Sequence, residues 1–216
     1  MSFQLFFVLL KPQTRTNMKR IALILASILL AFNGFSQKQP KFTEEDAKQF
    51  YRTIQGDYTV QVNDSTTVRV HFTPIWERPE NRFQWLYLEA EKDKVVILQK
   101  VLEIVPKTDK VFKVIVHDLK NPDQFVGKWG NRNYFDGFNQ SILKKGKKIN
   151  FVKTSDFSYQ SDWMRAKAIG CFQKEDLLHF KFVQQDERFY IKRMPNNTNR
   201  ILGYQGLREM TDSPIG

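Results

Sequence analysis

Residues 71–90 read His71-Phe72-Thr73-Pro74-Ile75-Trp76-Glu77-Arg78-Pro79-Glu80-Asn81-Arg82-Phe83-Gln84-Trp85-Leu86-Tyr87-Leu88-Glu89-Ala90. The stretch combines the end of one predicted strand, a turn over Arg78-Pro79-Glu80-Asn81, and a second predicted strand over 82–90. Side chains alternate sides along a strand, so Phe83, Trp85, Tyr87 and Glu89 fall on one face, an aromatic row that ends in a carboxylate. Aromatic residues also favour strands for packing reasons alone, so the same alternation suits a ligand-free core.

The same period of two continues on both sides of this stretch. Strands are predicted over 57–62, 66–73, 82–90, 94–105, 110–119, 148–154, 163–173, 177–183, 187–194 and 200–204. Turn chemistry separates them at Asn63-Asp64-Ser65, Lys107-Thr108-Asp109, Lys145-Gly146-Lys147 and Pro195-Asn196-Asn197. One helix precedes them. Thr43 with Glu44, Glu45 and Asp46 forms a start signal, Ala47, Phe50, Tyr51 and Ile54 recur at helical spacing, and Gly56 stops it. Many strands in series joined by short turns predict an all-β fold, an antiparallel barrel with one N-terminal helix. Closure is preferred because an open sheet of this size leaves long edges to protect. Residues 121–140, with three glycines and several aromatics, are the least strand-like part and predict either a lid over the barrel mouth or an irregular excursion.

The first 36 residues are read apart from the fold. Lys19-Arg20, the apolar run Ile21 to Phe32 and the exit Asn33-Gly34-Phe35-Ser36 have the layout of a secretory signal peptide. The run is too short for a spanning helix, which needs roughly 20 residues, so no transmembrane segment is expected in the mature chain. Met18 stands directly before Lys19, which reads as the natural start and leaves residues 1–17 as an upstream extension. The remainder, 37–216, is expected to be one domain that is exported to the periplasm or secreted. Lys11, Arg15, Lys19 and Arg20 lie in the leader with no acid, so the formal charge of +11 falls by four to +7. Export and the scatter of the basic residues argue against a nucleic-acid partner. Cys171 is the only cysteine, so no internal disulfide forms, and its apolar neighbourhood reads as a buried thiol.

Familiar catalytic patterns are absent from the sequence. His71, His117 and His179 are far apart with no second ligand at i+2 or i+4, so no metal site is expected. There is no Gly-x-Ser-x-Gly elbow and no glycine-rich phosphate loop. What remains is the aromatic row with Glu89, beside strands that carry Gln99 and Glu103. A barrel of eight or more strands can hold one small ligand, and such a wall suits a flat or otherwise apolar one.

A series of residues resembles the CpcT/CpeT family of chromophore lyases over roughly residues 48–130. It comprises Gly56 and Gln61, His71 and Pro74 before Arg78-Pro79, Leu86-Tyr87-Leu88-Glu89, Gln99-Lys100-Val101, then Leu119, Asn121-Pro122 and Phe125 before Gly127. The resemblance implies a calycin or lipocalin-like antiparallel barrel. It also implies binding of an open-chain tetrapyrrole, a bilin, and its transfer to a cysteine of an acceptor protein. Glu89 and Tyr87 match the glutamate and tyrosine of the family's Tyr-x-Glu-Gln, Gln99 matches the glutamine of its Pro-Tyr-Arg-Gln-Arg run, and Lys100 replaces the second arginine. Departures are Ala90 after Glu89, and Val96-Ile97-Leu98 in place of Pro-Tyr-Arg, which removes a planar donor suited to a propionate. Two functions follow. In a lyase, Glu89 polarises the ligand, Trp85 and Tyr87 stack on it, Gln99 orients it, and Lys100, His71 and Arg78 complete the contacts. In a secreted binding module of the same shape, an apolar ligand or a partner is held and no chemistry is done.

Overall fold

The computed structural model describes residues 43–77, 84–105, 111–170, 172–184, 187–196, 198 and 200–209. The expected leader, Arg78, Phe83 and Cys171 lie outside the described residues.

Helix α1 spans Glu44–Ile54. It starts as its sequence dictates: the Thr43 hydroxyl accepts from the Asp46 backbone N–H at 3.1 Å and the Asp46 carboxylate accepts from the Thr43 N–H at 2.7 Å, a reciprocal cap. Eleven strands follow: β1 Gly56–Asn63, β2 Thr66–Ile75, β3 Gln84–Lys92, β4 Val95–Val105, β5 Val111–His117, β6 Lys147–Ser155, β7 Ser158–Ser161, β8 Met164–Arg165, β9 Leu177–Val183, β10 Arg188–Met194 and β11 Leu202–Arg208. All pairings are antiparallel. The ladder runs β10-β11-β1-β2-β3-β4-β5-β6-β7-β9, and β9 pairs back onto β10. Ten strands therefore close a barrel and leave no free edge in the ring, while two-residue β8 pairs with β9 beside it. Among the described residues this is the all-β antiparallel barrel with one helix that the alternation predicted, calycin- or lipocalin-like as the resemblance implied.

Paired residues share a face, which sets what points inward. Tyr58 and Val60 of β1, Val68, Val70 and Phe72 of β2, and Leu86 and Leu88 of β3 join Leu102 and Ile104 of β4, Phe112 and Val114 of β5, and Phe182 and Phe189 of β9 and β10 in one interior core. At one end α1 closes the barrel. Phe50, fully buried, brings its ring to 4.5 Å from Phe112, 5.1 Å from Phe151, 5.0 Å from Tyr159 and 5.4 Å from Phe182. Asp46 and Lys153 of β6 add a 2.8 Å ion pair at that end. On the opposite wall, a Cβ on Gly206 would lie 2.2 Å from Phe189 Cε1, so a bare backbone is what lets this ring lie against β11.

Two predicted elements are corrected. Among the described residues of the strand expected over 163–173, only Met164–Arg165 form a strand; Ala166–Ala168 form a 3-10 turn and Gly170 takes φ 89°. Ala166 and Ile169, three residues apart, are buried together by that turn, and the apolar run had concealed it. The missed strand is β7, whose Ser158-Tyr159-Gln160-Ser161 carries too little apolar character to stand out. It forms because β6 and β9 both supply a ladder to it.

Residues 118–146 are neither lid nor free loop. Four 3-10 turns, Pro122–Phe125, Lys128–Gly130, Arg132–Gly137 and Gln140–Ile142, make a strap folded flat against the outer face of β2, β3 and β4. The strap's ends are tied to each other by the Leu119–Leu143 bridge and by Lys144 N–H to Asp118 O at 2.8 Å. A second apolar cluster lies beneath it: Ile75, Trp76, Trp85, Tyr87 and Val101 from the barrel against Leu119, Phe125 and Phe135 from the strap.

Candidate functional site

The interior of the barrel is not filled. A cavity of about 510 Å³ runs from Phe50 and Ile54 of α1 to a mouth formed by the β1–β2 and β3–β4 turns and the segment around Gly170 and Phe172. Its walls are Val60, Val62, Val68, Val70, Leu88, Leu98 and their neighbours. Its polar side chains, Asn63, Thr66 and Lys92, all belong to strand ends at the mouth. This size and lining suit one small apolar molecule, and a preformed dry wall favours burial of hydrocarbon.

The residues singled out by sequence collect elsewhere. Trp85, Tyr87 and Glu89 stand on the outward face of β3, because Leu86, Leu88 and Ala90 take the inward one. The strap covers them, and Glu89 and Tyr87 are fully buried. Glu89 is surrounded by donors. Its carboxylate accepts from the Tyr87 hydroxyl at 2.6 Å and from the Gly127 N–H at 3.1 and 3.2 Å, with Gln99 Nε2 3.4 Å away. The two Gln99 amide protons go to the closer acceptors, the Tyr87 oxygen at 2.7 Å and the Pro122 carbonyl at 3.1 Å. The Tyr87 oxygen lies 2.9 Å from the Phe125 carbonyl as well, but its single proton goes to the closer, charged acceptor. Burial, and then the adjacent carboxylate, push the Tyr87 phenol far above its usual value of 10.0, so it is a neutral donor. Gly127 holds φ 69°, the conformation that aims its N–H at Glu89 and favours glycine.

Chemically this network is an anchor. A carboxylate that accepts from the Tyr87 hydroxyl and the Gly127 N–H, packed around on every side with no exposed surface, has no face open to a ligand. It fixes strap to barrel together with Trp76 Nε1 donating to the Phe135 carbonyl at 2.7 Å and Thr73 Oγ1 to the Trp129 carbonyl at 2.8 Å.

His71 lies under the same strap. Trp129 stacks on its ring at 3.7 Å and 6°, Nδ1 meets Asp57 at 2.8 Å, and Nε2 has no hydrogen-bond partner among the described residues, with Glu91 at 3.8 Å. His117 binds at both nitrogens, Nε2 to Glu103 at 2.9 Å and Nδ1 to the Lys144 carbonyl at 3.1 Å. Both partners are acceptors, so the ring must donate twice. Burial works against that charged form, but the two hydrogen bonds outweigh it and raise the pKa above 6.5.

Lys100 is separate from this group: it pairs with Asp118 and approaches the Gly170 corner of the mouth. Lys100 and Gln99 also border a surface depression of about 350 Å³ with Asp118, Pro122 and Lys144. The structure therefore brings Trp85, Tyr87, Glu89, Gln99 and His71 together on the outside of the barrel. It leaves Lys100 at the rim, and Arg78 is not among the described residues. Sequence reasoning missed the cavity wall itself, although its signal was present in the even-numbered residues of β2 and β3. Among the described residues no cluster of three His, Cys, Asp or Glu could hold a metal ion, and no helix is long and apolar enough to cross a membrane.

The fold and cavity define a class, a closed antiparallel barrel able to enclose a small ligand. Comparison with protein-family models and with curated proteins returns no match that would narrow the class further.

Proposed function

We propose that this chain is an exported binding protein that carries one apolar molecule inside its barrel and does no chemistry on it. The observation that supports this is the open-ended cavity of about 510 Å³, whose walls from Phe50 to Leu98 are hydrocarbon. Water in such a space finds too few polar partners, so a ligand that displaces it gains the transfer of its own apolar surface as well. Titration with the neutral dye Nile red tests the reading. A saturable fluorescence rise with one site per chain is expected, abolished by Leu98→Trp, which fills the cavity. No saturable binding to the folded protein would end the proposal.

A bilin lyase acting on an acceptor protein is the second reading. The resemblance to the CpcT/CpeT family carries it, and the close grouping of Tyr87, Glu89 and Gln99 favours it. Against it stand the burial of Glu89 and a cavity with few groups for two propionates. Biliverdin in place of Nile red separates the readings: a lyase-like site gives a red-shifted bilin spectrum that Glu89→Gln abolishes.

A further inference from the structure

The cavity is apolar along its length and charged at one point. Lys92 is the last residue of β3, two places beyond inward-facing Ala90, and its register therefore points it over the mouth. Two other cations near this opening are committed. Lys100 is paired with Asp118, and Arg193 lies 2.7 Å from Asp176 with its guanidinium 5.0 Å from the Phe172 ring. Lys92 has no ion pair among the described residues, and the other two polar side chains of the lining, Asn63 and Thr66, lie on the neighbouring β1–β2 turn. On β2 the wall runs from Thr66 to Phe72, on the order of 20 Å at about 3.3 Å per residue.

We propose that the ligand is a single-chain amphiphile with one anionic head, a fatty carboxylate in its simplest form. Its tail lies along Val68, Val70 and Leu88 toward Phe50, and its head sits at the mouth against the Lys92 ammonium and the Asn63 and Thr66 side chains. This rests on the reading of the barrel as a binding protein and names what it binds. The geometry favours a head at one end because a second charged group farther down would face only hydrocarbon, and burying an unpaired charge is costly. A tetrapyrrole with two propionates fits this lining poorly for the same reason.

The test is displacement of Nile red from the purified protein by oleate, by oleyl alcohol, by a series of saturated fatty acids and by biliverdin. Both oleyl compounds should displace the dye. Lys92→Glu should weaken oleate about tenfold, from a lost attraction plus a new repulsion at a solvent-screened site, and leave the alcohol within about twofold. Lys92→Met, which keeps the apolar stem, should weaken oleate about threefold. From dodecanoate to hexadecanoate each added methylene should tighten binding up to about fourfold. Equal responses of acid and alcohol to Lys92→Glu, or displacement by biliverdin and not by oleate, would overturn the proposal. Failure of Nile red itself to bind would instead overturn the underlying binding reading, so the two failures are distinct. Unchanged thermal unfolding of both Lys92 variants confirms that a loss of affinity is local.

Discussion

Glu89→Gln tests whether the buried network is an anchor or a ligand site. In the wild type the carboxylate receives the Tyr87 hydroxyl at 2.6 Å and the Gly127 N–H at 3.1 Å, with Gln99 at 3.4 Å. A glutamine keeps one oxygen, which the Gly127 N–H can still reach because it lies within 3.2 Å of both carboxylate oxygens, and the Tyr87 proton can turn to the Phe125 carbonyl at 2.9 Å. The hydrogen bonds that remain lose their charge assistance, while the cost of burying a charge is relieved. Hydrogen bonds to charged groups contribute about 1.5–3 kcal/mol against about 0.5–1.5 kcal/mol for neutral ones, so with the relief a net loss of about 1–2 kcal/mol is expected. For a domain of this size that is a drop in Tm of roughly 2–8 °C. Calorimetry or urea unfolding reads the loss. Amide exchange should quicken in the strap around Gly127, since the acceptor of its N–H is no longer charged. Nile red affinity should stay within about twofold, because Glu89 and the cavity lie on opposite sides of β3. An unchanged Tm together with lost ligand binding would refute the anchor and restore Glu89 as a ligand-contacting group.

Three further outcomes follow from the same geometry. Asp46→Ala removes the carboxylate that accepts from the Thr43 N–H and hydroxyl, and the partner of Lys153, at once, leaving that ammonium only the exposed Asp156 at 3.3 Å, and should cost about 2–4 kcal/mol in urea unfolding. His117 holds its proton more tightly folded than unfolded, so its contribution is complete below about pH 6.5 and is lost as pH rises through the raised folded value. Stability measured from about pH 6 to pH 8 should therefore fall less in His117→Gln than in wild type, and parallel curves would remove the linkage. Gly127→Ala meets no atom within 4 Å but must hold φ 69°, so the backbone alone should cost about 1–2 kcal/mol of thermal stability, with no effect on ligand affinity.

Much of the architecture was legible because it depends on short-range rules. The Thr43 cap, the apolar spacing from Ala47 to Ile54 and the period-two strands each express a preference that operates within a few residues. The exceptions were local too. A run containing Ala166 and Ile169 suits a 3-10 turn as well as a strand, and β7 is too polar to be seen without the neighbours that pair with it. The candidate site was less legible. Tyr87, Glu89 and Gln99 were chosen together and do touch, since Glu89 and Gln99 are register partners across β3 and β4. What they touch beyond one another is a strap that begins about 20 residues later in the chain, and no local pattern specifies that contact.

The sequence by itself determined that residues 85, 87 and 89 share one face of a strand and that residues 86, 88 and 90 share the other. It also determined that the strands are numerous enough to close. Only the tertiary structure decided which face is inside. Alternation normally answers that question because one face is polar, but here both faces of β3 are buried, one by the barrel core and the other by the strap. Period two is symmetric between two apolar faces. The choice that sends Leu88 to the cavity and Glu89 to the strap is made by the long-range packing of residues 118–146, which supplies the Gly127 donor and the aromatic cover that a buried carboxylate and a tryptophan require.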